Sequence, residues 1–319
     1  MTPEEYQFIK GCLGINKDYF YYFKDKYALE LARFLCEREE ELKIGALKQS
    51  RFSFLLQKEP IRKVISGIGR DTLTISDLEK ADNLNGMGFS YTISKWGEYN
   101  RHRNDSYYQT SRPGINLVLQ LNFDAVHNRY YNELINPEEE DHPFVFTAHP
   151  VSVKGGYTMC WARLDISLET GEVLVEEIQN DWLRETRSML GMLERWERCG
   201  RDYSTYWLME RTTLAKLRDY YTLFLKPYVQ LWDEAMLCLV LRFCKQELGV
   251  DKIWYHTFES GKYLKGYGNY SLPPRSLYTK LPKRFGFTET EEAPQFIKEE
   301  PYLRKKLRKK TLSWFTMLL

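Results

Sequence analysis

Residues 157–182 read YTMCWARLDISLETGEVLVEEIQNDW and contain two strand-like runs separated by a short polar turn. The first run covers residues 157–166 and the second covers residues 172–180, with the turn ETG at residues 169–171. Apolar side chains recur along both runs, as is typical of strands in a sheet. Because so short a connection joins strands that run in opposite directions, this stretch predicts an antiparallel meander.

Similar elements lie upstream of this meander. Residues 143–149 predict a further strand, and residues 115–123 (INLVLQLNF) predict another. Between them, Asp124 has the side chain of a helix N-cap, which predicts a helix over residues 125–136. The α/β part of the chain therefore begins near residue 111.

Downstream, residues 182–227 are mostly helix-like and far longer than an ordinary connection, so they predict a helical insertion. An apolar helix running to about Leu248 follows, and it is expected to be buried. A strand at 252–257, a short helix from Pro274 and a strand from Phe287 complete a domain that ends near residue 297.

The two ends of the chain read differently. Residues 1–110 predict a helical N-terminal region, with helices over residues 28–43 and beyond Ser50. Residues 298–319 form a basic C-terminal tail with six cations between residues 304 and 310. The tail predicts a terminal helix that docks on the body or on a second subunit through Trp314 and Phe315, which makes an oligomer one expectation.

Composition limits the class of protein. The chain has 46 Lys plus Arg against 44 Asp plus Glu, a net charge of +2, which is not typical of a protein that binds polyanions over its whole surface. The six cysteines form no C-x-x-C pair and no Cys/His cluster, so no metal site is predicted. An acidic N-terminus and the lack of a long apolar run predict a cytoplasmic protein with no membrane span.

Residues 232–291 contain the segments ELGVDKI at 247–253, LYTKL at 277–281 and GFTETE at 286–291. In this order they resemble the second half of the GNAT acyltransferase fold. The string EEIQNDW at 176–182 also resembles the E-I-Q-[SN]-D-W signature of a poorly characterised group of phage and mobile-element proteins. The resemblance implies an α+β fold with a GNAT-like mixed, mainly antiparallel central sheet flanked by helices, and a transferase that moves an acyl group from an acyl-CoA-like donor.

The chain departs from the GNAT pattern at one point. In that family a Q/R-x-x-G-x-G/A turn follows a strand, and its backbone amides hold the pyrophosphate of acyl-CoA. Nothing between Gln179 and Asp233 has this spacing, which counts against acyl-CoA. The alternative is a non-catalytic GNAT-like binding module of phage or mobile-element type that acts on nucleic acid or a host protein.

Strand alternation assigns Glu177 and Gln179 to one face of the sheet and Glu176 and Asn180 to the other. The two glutamates are therefore not expected to share a site. One interpretation makes Glu177 a general base, with Gln179, Asn180, Asp181 and Trp182 binding substrate at the end of the strand. The other makes Glu177 a carboxylate that pairs with an arginine of the inserted helices.

Two further residues are candidates for proton transfer. Tyr278 stands where the GNAT resemblance implies a tyrosine that protonates the leaving thiolate, although an ordinary packed tyrosine fits equally well. His256 could act as a base, but a single histidine in a strand is more often structural.

Cations surround the Gly/Tyr-rich loop at residues 261–270. Arg275 and Lys280 are predicted to bind substrate, and the cations could hold phosphate or a nucleic-acid backbone between the rings of Tyr263, Tyr267 and Tyr270. The basic tail could likewise contact nucleic acid or anionic lipid. The alternative for the loop is a solvated, mobile segment, and the alternative for the tail is the docked terminal helix with its cations outside.

Overall fold

The computed structural model describes residues 1–13, 19–39, 41–82, 86–98, 109–137, 142–152, 156–266 and 273–319. A large mixed sheet of eight strands, mainly antiparallel, lies at its centre with helices against it. The predicted α+β class is confirmed, and so is a mainly antiparallel sheet flanked by helices.

The strands vary from two to ten residues in length. In chain order they are β1 (Tyr19–Tyr22), β2 (Leu42–Lys43), β3 (Thr72–Leu73), β4 (Met87–Trp96), β5 (Asn116–Asn122), β6 (Thr158–Ser167), β7 (Glu172–Gln179), β8 (Lys252–His256), β9 (Thr288–Thr290) and β10 (Trp314–Leu318). The large sheet has the order β1-β4-β5-β6-β7-β8-β10-β9, and β2 pairs with β3. Among these described strands, β7 and β8 form the one parallel pair of the large sheet.

The α-helices, in chain order, are α1 (Pro3–Cys12), α2 (Tyr27–Glu39), α3 (Ile44–Gln49), α4 (Glu59–Gly67), α5 (Ile75–Ala81), α6 (Ala125–Ile135), α7 (Trp182–Arg198), α8 (Leu214–Asp219), α9 (Lys226–Val229), α10 (Trp232–Arg242), α11 (Phe258–Lys265), α12 (Lys280–Arg284), α13 (Gln295–Glu299) and α14 (Pro301–Leu307). Two π-helical turns, Tyr220–Leu225 and Phe243–Glu247, continue α8 and α10. Short 3₁₀ turns cover Ser53–Gln57, Trp207–Glu210 and Arg275–Tyr278.

The two faces of the large sheet differ in chemistry. One face carries apolar side chains such as Leu119, Val173 and Ile253, which pack in the main core against α2, α7 and α10. The opposite face carries a smaller core in which Leu174 and Trp254 meet residues of α11, α13 and α14. Beside this second core the same face is polar, and the candidate site residues of β6, β7 and β8 lie there.

Several local predictions agree with the structure. Asp124 caps α6, since its carboxylate accepts the amide hydrogen of His127 at 2.8 Å. The predicted insertion is helical from α7 to α9, and α10 is buried over most of its circumference as its apolar composition predicts.

Other predictions are wrong. Residues 143–149 form turns and no strand, although they are apolar. The region predicted as helical contributes two strands of the large sheet, because β4 pairs with both β1 and β5. The tail contains α14, but Trp314 and Phe315 belong to β10, which lies between β8 and β9.

Candidate functional site

The carboxyl ends of β7 and β8 diverge. Their parallel ladder ends at the pair Val175 and Tyr255; beyond it β7 continues to Gln179 beside β6, and β8 ends at His256 beside β10. From β7 the chain enters α7, whose apolar residues join the main core, whereas from β8 it enters α11, whose Leu264 joins the second core on the other face. Neighbouring parallel strands whose connections leave on opposite faces open a crevice at their carboxyl ends, and such crevices bind ligands in open α/β sheets.

A β-bulge lies in β7 at this point. Arg163 of β6 is opposite Glu177, and the next residue, Leu164, is opposite Val175, so Glu176 is the extra residue. The bulge cancels the alternation of side chains, and the expectation that the two glutamates lie on opposite faces is wrong. Both carboxylates approach one ammonium group, with Lys265 Nζ 3.8 Å from an oxygen of each.

This lysine belongs to a group of five charged or titratable side chains, which we call the bulge cluster: Arg163, Glu176, Glu177, His256 and Lys265. All five side chains are buried. Arg163 forms an ion pair with Glu177, and Lys265 donates a hydrogen bond to the backbone carbonyl of Glu176. Two cations thus balance two carboxylates, as buried charges require. Glu177 has the salt bridge that the sequence left as an alternative, but its partner lies on β6 and not on an inserted helix.

The pKa values in this cluster keep the glutamates ionised. Burial raises the pKa of Glu176, but the His256 ring and Lys265 outweigh it and lower that pKa to about 2. Burial likewise raises the pKa of Glu177, and Arg163 and Lys265 lower it further than burial raises it. A carboxylate whose pKa is held below its ordinary value is a weak general base at neutral pH.

His256 is part of the same buried network. Its Nε2 lies 2.8 Å from the Ser111 hydroxyl and 3.3 Å from Glu176, and its Nδ1 lies 3.0 Å from the Ser260 hydroxyl. Burial lowers the pKa of the ring although Glu176 raises it. Because both nitrogens face partners within the fold, His256 positions Ser111 and Glu176.

Of three other predicted site residues, Tyr278 is buried beside Tyr255 and Lys265, whereas Arg275 and Lys280 are exposed. Tyr278 is only 1% exposed and packs edge-on against Tyr255, with Lys265 Nζ 5.9 Å from its ring centre. The Arg275 side chain is 73% exposed and lies over the ring of Phe258, and Lys280 is exposed. Tyr267 and Tyr270 fall outside the described residues.

The end of β7 carries a second polar group centred on Asp181. Its buried carboxylate accepts from His149 Nδ1 at 2.8 Å, Trp161 Nε1 at 3.1 Å and Gln179 Nε2 at 2.9 Å, and it pairs with Arg184 at 2.7 Å. Burial raises the pKa of Asp181, but His149 outweighs it and the pKa is lowered. The His149 side chain is 23% exposed, so a buried carboxylate orients an imidazole that solvent reaches.

This His149–Asp181 dyad has the geometry of a base and its orienting group. The sequence pointed to Asp181 but not to His149, which lies 32 residues earlier and in a segment predicted as a strand. Trp182, predicted to bind substrate, is instead a core residue whose indole N–H donates to the Tyr220 hydroxyl at 2.8 Å.

At the start of α7, oxygen atoms of Asn180 and Asp181 accept hydrogen bonds from backbone amides of the helix. Asn180 Oδ1 accepts the amide hydrogen of Leu183 at 2.9 Å, and the Asp181 carbonyl accepts that of Glu185 at 2.8 Å. The Asp181 carboxylate adds a negative charge beside this helix end. Backbone amides here are therefore a poor place for a phosphate group.

A cavity of about 520 Å³ opens beside the end of β7. We call it the arginine cavity, because Arg184, Arg187 and Arg195 of α7 line it together with Gln179, Asn180, Leu183, Tyr221, Val229, Trp232 and Leu277. No carboxylate is among the described residues that line it. Spacings of three and eleven residues place the three guanidinium groups on one side of α7, a signal the sequence offered.

Some polar groups at the arginine cavity have no partner among the described residues. Arg187 and Arg195 form no ion pair with any described carboxylate, whereas Arg184 pairs with Asp181 and Glu185. The Nδ2 atom of Asn180 is buried and has no hydrogen-bond partner among the described atoms. Tyr221 reaches the wall from the π-helical turn Tyr220–Leu225, an irregularity that is frequent at functional sites.

The described residues bring together no group of three His, Cys, Asp or Glu side chains that could hold a metal ion. No helix in that part of the chain combines the length and the apolar character that crossing a membrane requires. Comparison with protein-family models, with curated proteins and with solved structures finds no match.

Proposed function

We propose that the chain is a GNAT-like transferase that takes an acyl-CoA-like donor at the crevice between β7 and β8. The observation that carries the proposal is the arginine cavity, which adjoins diverging parallel strands and is lined by three arginines without a carboxylate. Its volume of about 520 Å³ lies in the range of small-molecule sites. The strand order and the LYTKL and GFTETE segments support the GNAT-like part of the proposal.

Side chains replace the missing phosphate turn in this proposal. A guanidinium group binds phosphate through two parallel hydrogen bonds, and Arg187 and Arg195 have no competing carboxylate among the described residues. The unpartnered Asn180 Nδ2 supplies one more donor at the same wall. Trp232, Val229 and Leu277 provide an apolar wall for the less polar part of the donor.

Proton transfer is assigned to His149 rather than Glu177. Glu177 is buried, paired with Arg163 and Lys265, and has a lowered pKa. His149 is partly exposed, is oriented by Asp181, and lies 3.4 Å from the Gln179 amide that lines the arginine cavity. In the reaction, the acceptor group would attack the thioester carbonyl and lose its proton to His149; the C–S bond would then break, and His149 would return the proton to the leaving thiolate.

Isothermal titration with acetyl-CoA and a series of longer acyl-CoAs tests the proposal. The Arg187→Ala/Arg195→Ala double variant is expected to bind about tenfold or more weakly, because it removes two charge-assisted contacts. Arg198→Ala, on the same helix but outside the cavity, is the matched control and is expected to bind as the unaltered chain does. Absence of binding to every acyl-CoA contradicts the proposal.

The second candidate is a non-catalytic GNAT-like binding module of phage or mobile-element type. The capped start of α7 favours it, since the position where the GNAT resemblance implies a bound pyrophosphate is occupied by Asn180 and Asp181. In that case the arginine cavity would take an anionic group of a macromolecule. The chain would then bind no acyl-CoA but would bind nucleic acid or a host protein, and the Arg187→Ala/Arg195→Ala variant would lose that binding.

A further inference from the structure

Helix α4 forms a ridge on the N-terminal part of the molecule. It packs inward through Ile61 and Val64, against α2 and α5, and its outer side exposes Glu59, Arg62, Lys63 and Ser66 at helical spacing. No large apolar side chain between residues 44 and 81 is exposed among those described. The ridge is therefore polar along its length.

Positive charge is concentrated around this ridge. Six cations stand between Lys48 and Arg70, and Glu59 is the one carboxylate in that stretch of sequence, although the whole chain carries only +2. Lys48 and Arg62 form no ion pair with a described carboxylate. Lys63 pairs with Glu59, but both side chains are 74% exposed, so the pair is weak.

A depression lies on each side of the ridge. One, of about 580 Å³, is lined by Lys48 and Arg62, by the polar side chains of Ser53, Gln57 and Ser66, and by the apolar side chains of Ile44, Leu56 and Ile65. The other, of about 840 Å³, has cations at Lys63, Arg70 and Lys80, carboxylates at Glu59 and Asp77 that pair with Lys63 and Arg70, and an apolar part that includes Phe23, Val64 and Ile68. A helical ridge thus runs between two hollows that each contain cations.

We propose that α4 enters the major groove of double-stranded DNA, with one phosphate strand over each depression. The major groove of B-form DNA is about 12 Å wide and admits an α-helix of about 10–12 Å diameter. The deep, narrow major groove of duplex RNA does not admit a helix. A lipid surface would be met by fully exposed apolar side chains, whereas the apolar residues described on this surface, such as Phe23, Ile65 and Ile68, are half-buried.

This DNA-binding surface is separate from the crevice between β7 and β8. None of the described residues that line the two depressions lines the arginine cavity. The DNA proposal therefore stands or fails independently of acyl-CoA binding.

Fluorescence anisotropy with a labelled duplex of about 20 base pairs, from about 50 to about 200 mM NaCl, tests this proposal. The Arg62→Ala/Lys63→Ala double variant is expected to bind at least about tenfold more weakly, and the slope of log K against log salt should shrink by about 2. Lys305→Ala/Lys309→Ala removes two exposed cations near α14 and should bind as the unaltered chain does.

Four results overturn the proposal: no binding at the lowest salt, unchanged binding by the α4 variant, an equal loss in the α14 control, or equally tight binding to duplex RNA or to phosphatidylserine vesicles. Circular dichroism of each variant checks that it is still folded. Arg62→Gln/Lys63→Gln is the second variant if the alanine variant unfolds, and it is expected to show the same loss.

Discussion

The bulge cluster and the arginine cavity both adjoin the end of β7, and they handle charge in opposite ways. In the bulge cluster, Arg163 and Lys265 balance Glu176 and Glu177, and every one of these side chains is buried. In the arginine cavity, Arg187 and Arg195 are exposed and have no described carboxylate partner. Balanced, buried charge holds this part of the sheet together, whereas unbalanced charge beside a hollow is free to bind a ligand.

The largest expected effect comes from removing the shared cation of the bulge cluster. Lys265→Met leaves Glu176 and Glu177 with one fewer neutralising charge in a buried site. We expect the free energy of unfolding to fall by about 3–5 kcal/mol, the usual cost of breaking a buried ion pair. Urea denaturation measures it.

Lys262→Met is the control on the same helix, since Lys262 is only half-buried and forms no ion pair with a described carboxylate. Its effect should remain within about 0.5 kcal/mol. Equal losses in the two variants would show that the bulge cluster does not depend on Lys265 as a charge.

Acid should weaken the fold through the bulge cluster. The pKa of Glu176 is lowered from 4.5 to about 2, so the unfolded chain binds a proton first and stability falls as the pH drops from about 4.5 towards 2. His256 acts in the same direction, because burial lowers its pKa and the unfolded chain takes up a proton below about pH 6.5. Stability should therefore decline from neutral pH downwards.

Urea denaturation at a series of pH values checks this prediction. Glu176→Gln removes this carboxyl group, whose pKa is lowered, and should flatten the acid side of the curve below about pH 4.5. Stability that rises on acidification would contradict the assignment of Glu176 as an ionised, paired group.

How far the sequence predicts this fold depends on how local each element is. The strands β5, β7 and β8 and the helix α10 are predictable because their apolar patterns lie within one segment. The strands β1 and β4 are not, since β4 gains its place by pairing Ser90 with Asn122, far along the chain. Residues 143–149 are apolar enough for a strand but form turns that deliver His149 to Asp181.

The candidate site shows the same limit more sharply. EEIQNDW drew attention to the end of β7, and Gln179, Asn180 and Asp181 do meet there. The bulge at Glu176 has no local signal, because it is defined by the pairing of Arg163 with Glu177 on a neighbouring strand. Alternation alone therefore assigned the glutamates to the wrong faces, and it could not show that Lys265 joins them.

An intermediate effect is expected at Asp181, which lies between the two regions. Asp181→Asn keeps the shape of the side chain but removes the charge that His149, Trp161 and Arg184 contact. We expect a loss of about 2 kcal/mol in the free energy of unfolding, since hydrogen bonds to a charged group are being weakened. Glu185→Gln, next to Arg184 but not buried, should cost less than about 0.5 kcal/mol.

The smallest effect on stability is expected in the arginine cavity. Arg187→Ala removes an exposed cation without a described carboxylate partner, so the free energy of unfolding should stay within about 0.5 kcal/mol of the unaltered chain. A loss as large as that of Lys265→Met would mean that Arg187 holds the fold. If Arg187→Ala leaves the free energy of unfolding nearly unchanged but weakens the affinity for acyl-CoA, the two regions have separate roles. The Arg187 charge then contributes to binding and not to folding.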